Sequence, residues 1–457
     1  MSFLQELKNH PKGLSVLFFT EMWERFSYYG MRAILILYLT AKESLPNGGL
    51  GLEENSALEI YGLYTAFVYI MAIPGGLIAD HLLGQKKSIM IGGFLLCAGH
   101  FILAIDSYEA FLVGLVVIVS GVGMLKPNIS SMVGGLYKKG DSRRDTGFII
   151  FYMGINIGAF IAPLLVGYIG EVHNWHYGFG LAGIGMLIGQ FVFLRGQKHL
   201  VGIGDFVPIK REKSTGQKVP LTREEWDRII VLLISFILII VFWGAYEQAG
   251  GLMNLYAKEK VNRVLGSFEL FQVIRVIEVP ASFLQGLHAF YVILIGAPMA
   301  AFWIWWRKKG RESSSLFKMA AGTIAAGIGF VFLMGAAWDQ ANSFDGKAAL
   351  WWMFAAYLLH VVGELSISPV ALSFITKLSP GKTVSSMMGL FFFASGLGNY
   401  LASKVGQAAK TQGEMEVFTG IFIFCTIFGL LLIVLVKKLK KLTHGAEEEL
   451  VQAPEEA

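Results

Sequence analysis

Long apolar stretches that recur from one end of the chain to the other are the feature that most limits what it can fold into. About twelve are present, at 14–40, 58–79, 88–105, 110–136, 146–170, 177–194, 229–256, 279–306, 316–337, 350–375, 384–405 and 418–436. Each is long enough, at helical rise, to cross about 30 Å of hydrocarbon. Lipid offers no partner to backbone N–H and C=O groups, so segments of this kind must satisfy them internally, as helices do. The expected fold class is therefore an all-α polytopic membrane protein with about 12 transmembrane helices. The 54% hydrophobic and 16% charged content of the 457 residues agrees and excludes an ordinary soluble globular domain.

Orientation follows from the loops, because short loops rich in Lys and Arg stay on the cytoplasmic side. Lys86 and Lys87, Lys138, Lys139, Arg143 and Arg144, the 195–228 connection, the run 307–311, Lys377 and Lys382, and the run 437–441 fall on one side. The other loops are mixed, with Glu53, Glu54, Asp106 and Glu171. A multi-pass protein of the cytoplasmic (inner) membrane with both termini in the cytoplasm is expected. The start carries Lys8, His10 and Lys12 ahead of an apolar run too long for a signal peptide, so no cleaved leader is expected. Topology accounts for the net charge of +5, and nucleic acid is not an expected partner. Cys97 and Cys425 lie inside apolar runs with no ligand-like neighbours, which reads as packing, with neither disulfide nor metal implied.

A polar, Gly- and Lys-containing segment divides six spans from six. The expected organisation is a six-helix bundle over 1–197, a linker over 198–226, a second six-helix bundle over 227–442 and a disordered acidic tail over 443–457. Thr222 and Glu225 form a capping box that would start the seventh span. Six plus six spans about a basic central loop is the layout of major facilitator transporters, whose sites lie near the bilayer midplane. The loop GLIADHLLGQKK, residues 76–87, resembles that superfamily's signature, with Gly76, Asp80, Gly84 and Lys87 in place.

An ionisable side chain near the bilayer centre costs about 2.5 to 3.5 kcal/mol on insertion scales, so each needs a partner or a wet cavity. In the first span Glu21, Glu24, Arg25, Tyr28, Tyr29 and Arg32 project onto a helical sector of about 140°. Lys126 in the fourth span lies about 18 Å of helix rise from Lys138, too deep to snorkel, and needs an anion indoors. Glu247 and Glu364 are similarly deep. A buried carboxylate whose charged form is disfavoured by desolvation and rescued by a mobile cation is a proton switch in principle. His360 precedes Glu364 by one turn and reads more readily as a packing residue than as a relay.

Residues 21–30, EMWERFSYYG, resemble the ExxERFxYYG signature of proton-dependent oligopeptide transporters, a family within the major facilitator superfamily. The likeness continues through GMLKPNISSMVG at 123–134, FYMGINIGAFIAPL at 151–164, FWGAYEQ at 242–248 and GELSISPVALSFITKLSP at 363–380. It implies the major facilitator fold and a bacterial-type symporter that imports di- and tripeptides with protons. It also implies roles. Glu21, Glu24 and Arg25 resemble the proton-responsive cluster with Lys126 as partner, and Arg32 with Glu247 the gating pair. Arg25, Lys126 and Tyr29 would receive the peptide carboxylate and Asn156 and Glu364 its amino terminus, while Tyr69 resembles the pocket tyrosine of the second span. The sequence departs from the family at His288 and Ala289, where many relatives have Asn-Pro, and at Phe391, where a pocket Trp is usual. Partners implied are peptides, protons and the bilayer, with a functional monomer and no cofactor beyond the proton.

A drug/proton antiporter would share the 76–87 loop but would not need cations for a carboxylate and an acid for an amine. A nitrate or amino-acid symporter of the same broader family is another alternative, and the deep Glu364 weighs against a simple anion. A peptide receptor that does not transport is the reading from a different class. Enzyme chemistry is not expected, since no nucleophile, metal or nucleotide motif stands out.

Overall fold

A computed structural model of the chain describes residues 9–138, 141, 143–206, 221–270, 273–380 and 383–446. Most of the expected linker, 207–220, and of the expected tail, 447–457, lies outside the described residues.

Ten helices among the described residues are long and apolar enough to span a membrane. Two more helices have the length. These are α1 (Lys12–Thr40), whose charges interrupt every apolar window, and α13 (Val384–Gln412), diluted by Ser395, Asn399, Ser403 and Lys404. The chain forms two compact units. The first holds residues 1–210 and 249–293 and the second 211–248 and 294–457.

In the first unit α1 is followed by the composite second span, α2 (Glu54–Ile70) and α3 (Ala72–Ile78), which ends in a π-helical turn at Ala79–Leu83. Then come α4 (Gln85–Leu103), α5 (Tyr108–Gly135), α6 (Arg143–Tyr168) with a second π-helical turn at Ile169–His173, and α7 (Trp175–Gly196). α1 packs along α6 and α7, while α4 packs along α5 and α7. Gly84 closes the second span at φ +78°, a conformation that favours glycine, and its missing Cβ leaves room for the backbone of Phe206. Small residues set the helix separations. A Cβ at Gly75 would overlap the carbonyl of Gly123, and one at Gly158 would overlap that of Met22.

The second unit contains α8 (Arg223–Tyr246), most of α10 (Gly286–Lys308), α11 (Ser315–Asn342), α12 (Trp351–Leu378), α13 and α14 (Glu414–Leu442). α8 opens on the capping box expected from sequence, the Thr222 hydroxyl accepting from the Glu225 N–H and the Glu225 carboxylate from the Thr222 N–H. α11 packs against α12 and α14, and α8 against α13.

The compact units do not follow the 1–197 and 227–442 limits, because residues 249–293 pack with the first unit. The seventh span is broken at Gly250 and Gly251, after which α9 (Leu252–Lys260) and an antiparallel hairpin, β1 (Val264–Leu270) with β2 (Val273–Glu278), lead into a 3-10 turn at Ala281–Gln285 and α10. The Asn254 amide and the Gln285 amide both donate to the Ala33 carbonyl of α1, at 3.1 and 3.4 Å.

The close approach at Gly75 can be tested directly. Gly75→Ala should lower the thermal unfolding midpoint in detergent, the overpacking costing about 1–3 kcal/mol. Gly76→Ala, whose Cβ would meet nothing within 4 Å, should leave the midpoint unchanged.

Candidate functional site

Four side chains of the α1 stripe that a membrane should reject are buried in the first unit. Glu21 is 1% exposed, Glu24 0% and Arg25 6%, with Arg32 also buried. Arg25 Nε donates to Glu21 Oε1 at 2.7 Å, a pair one helical turn apart. The same Nε lies 3.1 Å from Glu24 Oε2, but the single N–H points at Glu21, so Glu24 makes an ionic contact and not an aligned hydrogen bond. One guanidinium thus faces two carboxylates. Gly158 of α6 gives the cluster its cover, since its absent side chain lets the helix lie close to Arg25.

Arg32 is turned toward α2, its Nε donating to Tyr61 Oη at 2.8 Å, with the guanidinium 5.9 Å from the centre of the Tyr29 ring. Tyr28 stacks on Tyr64 at 6.5 Å. Lys126 Nζ stands 3.8 Å from the centre of the Tyr69 ring and within electrostatic reach of Glu24. A ring face is an electron-rich partner that suits a desolvated ammonium. The expectation of an anion for Lys126 therefore named only part of its surroundings. Asn156 is buried on α6, where its Nδ2 donates to the Tyr152 carbonyl at 2.9 Å. His288 is half-buried in the first turn of α10, where Phe290 faces Phe160 at 5.8 Å.

The second unit carries the two other acids. Glu247 is buried in a 3-10 turn, Glu247–Ala249, whose neighbour Gln248 donates to the Gly244 carbonyl at 3.2 Å and to the Ala402 carbonyl at 2.8 Å. Glu364 is buried on α12 and accepts from Tyr246 Oη at 3.3 Å. His360 is packed among rings, 4.8 Å from Phe330 and 6.5 Å from both Tyr246 and Tyr357. Phe391 is buried, with its ring edge-on to Phe392.

In the 76–87 loop, Asp80 and Lys87 are exposed, and the loop is held by Lys86 instead. Lys86 Nζ meets Asp205 Oδ1 at 2.7 Å while its N–H donates to the Gly204 carbonyl at 2.9 Å. The Lys86 ammonium draws the Asp205 carboxyl below its ordinary range. The clasp is therefore complete above the usual carboxylate pKa and is lost as pH falls through the lowered one.

Sequence reasoning did not single out Tyr61 or Tyr246. Tyr246 directly precedes Glu247, which it did single out, and Tyr61 stands about two helical turns before Tyr69 on the same helix. A phenol beside a deep charge is the signal that was available.

The chemistry of the arrangement is that of a charge store. Removing Arg25 would strand two buried carboxylates, so Arg25→Met should destabilise the protein by about 3–5 kcal/mol. Adding Glu21→Gln and Glu24→Gln to Arg25→Met should restore most of that loss, as read by thermal unfolding in detergent. If the triple variant is no more stable than the single one, the three charges do not form one unit.

Comparison with known proteins shows the family. The model of the POT family matches residues 86–214 and 207–419. The chain is similar to the peptide transporter YePEPT of Yersinia enterocolitica subsp. palearctica, with 33% identity over 96% of this chain and 97% of the relative. It is similar to a di-/tripeptide transporter of Lactococcus lactis subsp. cremoris, with 33% identity over 94% of this chain and 96% of the relative. A crystal structure of a peptide transporter POT in complex with sulfate matches at a TM-score of 0.86 and 33% identity, covering 97% of each chain. The helices described above thus form the major facilitator-type fold of those transporters, and this chain belongs to the POT family.

Proposed function

We propose that the protein is a proton-coupled symporter that imports di- and tripeptides across the cytoplasmic membrane by alternating access. The observation that carries this reading is the Glu21–Glu24–Arg25 cluster. Two acids share one guanidinium in a site almost without water, so the charge is balanced only if a proton or a second cation joins them. Lys126 and the peptide itself are the candidates for that exchange. The names of the relatives support peptides as the cargo.

In this reading Glu21, Glu24, Arg25 and Lys126 couple the proton, and Arg32 with Glu247 form the gate. Arg25, Lys126 and Tyr29 take the peptide carboxylate, and Tyr69 lines the pocket from the second span. Glu364, Asn156 and His288 lie on the amino-terminal side, and Phe391 borders the side-chain pocket. No cofactor beyond the proton takes part. The protein works as a monomer with both termini in the cytoplasm, and the six-helix bundles of 1–197 and 227–442 rock about the peptide. Dialanine uptake into liposomes under an imposed pH gradient tests the whole reading, and a purified protein that binds peptide but never accumulates it would be a receptor instead.

Two outcomes test the assigned roles. Glu247→Gln should keep peptide counterflow, which needs only exchange, and lose uptake driven by the proton gradient. Full gradient-driven uptake by that variant would remove Glu247 from the coupling. Acetylating the amino terminus of dialanine should weaken its competition for uptake by about tenfold or more in the native protein, the mark of a buried acid left without its partner. The loss should be much smaller in Glu364→Gln. An equal loss in both proteins would sink the assignment of Glu364 to the amine.

A further inference from the structure

The last turn of the fifth span holds a buried acid that the transport reading does not use. Glu171 lies in the π-helical turn Ile169–His173, and its side chain is 8% exposed. Its main chain is fixed from below, because Asn47 Nδ2 donates to the carbonyls of Gly170 and Glu171 at 2.8 and 3.1 Å. Asn47 in turn accepts from the N–H and the indole of Trp175.

The carboxylate reaches into residues 249–293 at both ends of the hairpin connection. Oε1 accepts from the Ala281 N–H at 3.0 Å, and Oε2 accepts from the Ser282 N–H at 3.1 Å and the Ser282 hydroxyl at 2.9 Å. Lys258 Nζ and Arg263 Nη1 lie 3.8 and 3.9 Å from Oε1. Arg263 also ties the connection together, donating to the Ala257 and Val279 carbonyls and pairing with Glu278 at 2.8 Å. One carboxylate therefore gathers the end of α9, the base of the hairpin and the turn that leads into α10.

The same segment is continuous with the second unit through chain that bends easily. On one side stand Gly250 and Gly251, the latter at φ −103°, ψ −103°. On the other, α10 passes from the first unit to the second at 293/294, close to Gly296 and Pro298, and Pro298 removes one helical hydrogen bond. We propose that Glu171 is a positioning residue for transport, a latch that fastens residues 249–293 to the first unit and whose opening is a step of the cycle. This rests on the reading of the protein as an alternating-access transporter.

The test places a thiol in the latch. Ser282→Cys is nearly isosteric and fully buried, and buried Cys97 and Cys425 serve as controls in the same molecule. The purified full-length protein in liposomes is treated with a maleimide, and labelling at each cysteine is read by peptide mass spectrometry. Adding Glu171→Gln should raise the labelling rate at position 282 by about tenfold, leave Cys97 and Cys425 unchanged, and be largely reversed in Glu171→Asp, which keeps the charge. Dialanine affinity should stay as in the native protein while the maximal uptake rate changes. Lys258→Gln, a milder change, should raise labelling at 282 severalfold and carries the test if Glu171→Gln does not fold. An unchanged rate at 282, or a rise shared by all three cysteines, would overturn the latch. Absence of dialanine uptake by the native protein would instead overturn the transporter reading, with the labelling result still standing.

Discussion

The structure depends on a guanidinium kept among carboxylates where almost no water reaches. Arg25, Glu21 and Glu24 sit on a helix surrounded by others, and charges so placed stay only if their neighbours hold them. The small residues of α6, Gly154 and Gly158, let that helix approach α1 closely enough to seal the cluster from one side. The phenols of α2 and the ring of Tyr69 supply polar or electron-rich faces to Arg32 and Lys126. Remove the charges and this packing would have little reason to be polar; remove the packing and the charges would have to be hydrated.

The second unit holds its deep acids with different groups. Glu364 is met by the Tyr246 hydroxyl, and the turn that carries Glu247 is pinned through Gln248 to α13. The partner of Glu364 is a neutral phenol, whereas Glu21 and Glu24 share a charged guanidinium. Acids in two such environments are suited to different tasks within one cycle.

The parts legible in the sequence are those set by local spacing. The α1 stripe, the capping box at Thr222 and the loop glycine at Gly84 all follow from helical period or backbone geometry over a few residues. Residues whose partners lie far along the chain were not legible in that way. Nothing near Lys126 announces Tyr69, nothing near Glu364 announces Tyr246, and Glu171 looks like an ordinary acid of a polar loop until Ala281 and Ser282 are brought to it. The hairpin at 264–278 was missed because its strands, rich in β-branched residues, lack the Asn-Gly or Asp-Gly turn that marks the commonest tight hairpins. The seventh span was read as continuous because two glycines in an apolar run do not by themselves interrupt it.

The two π-helical turns, Ala79–Leu83 and Ile169–His173, are each closed by a bond over five residues, from Gly84 N–H to the Ala79 carbonyl and from Asn174 N–H to the Ile169 carbonyl. Such a turn holds one residue more than an α-helical turn in the same rise. The wide turn takes up that residue itself, so the residues beyond it keep a direction that an extra residue in a regular α-helix would have rotated by about 100°. In the first case the residues so placed include Gly84 and Lys86, which meet residues 204–206, and in the second the wide turn itself carries Glu171. An added residue is thus absorbed inside the helix while the contacts beyond it stay in register, which a surface turn achieves only by changing the course of its own loop.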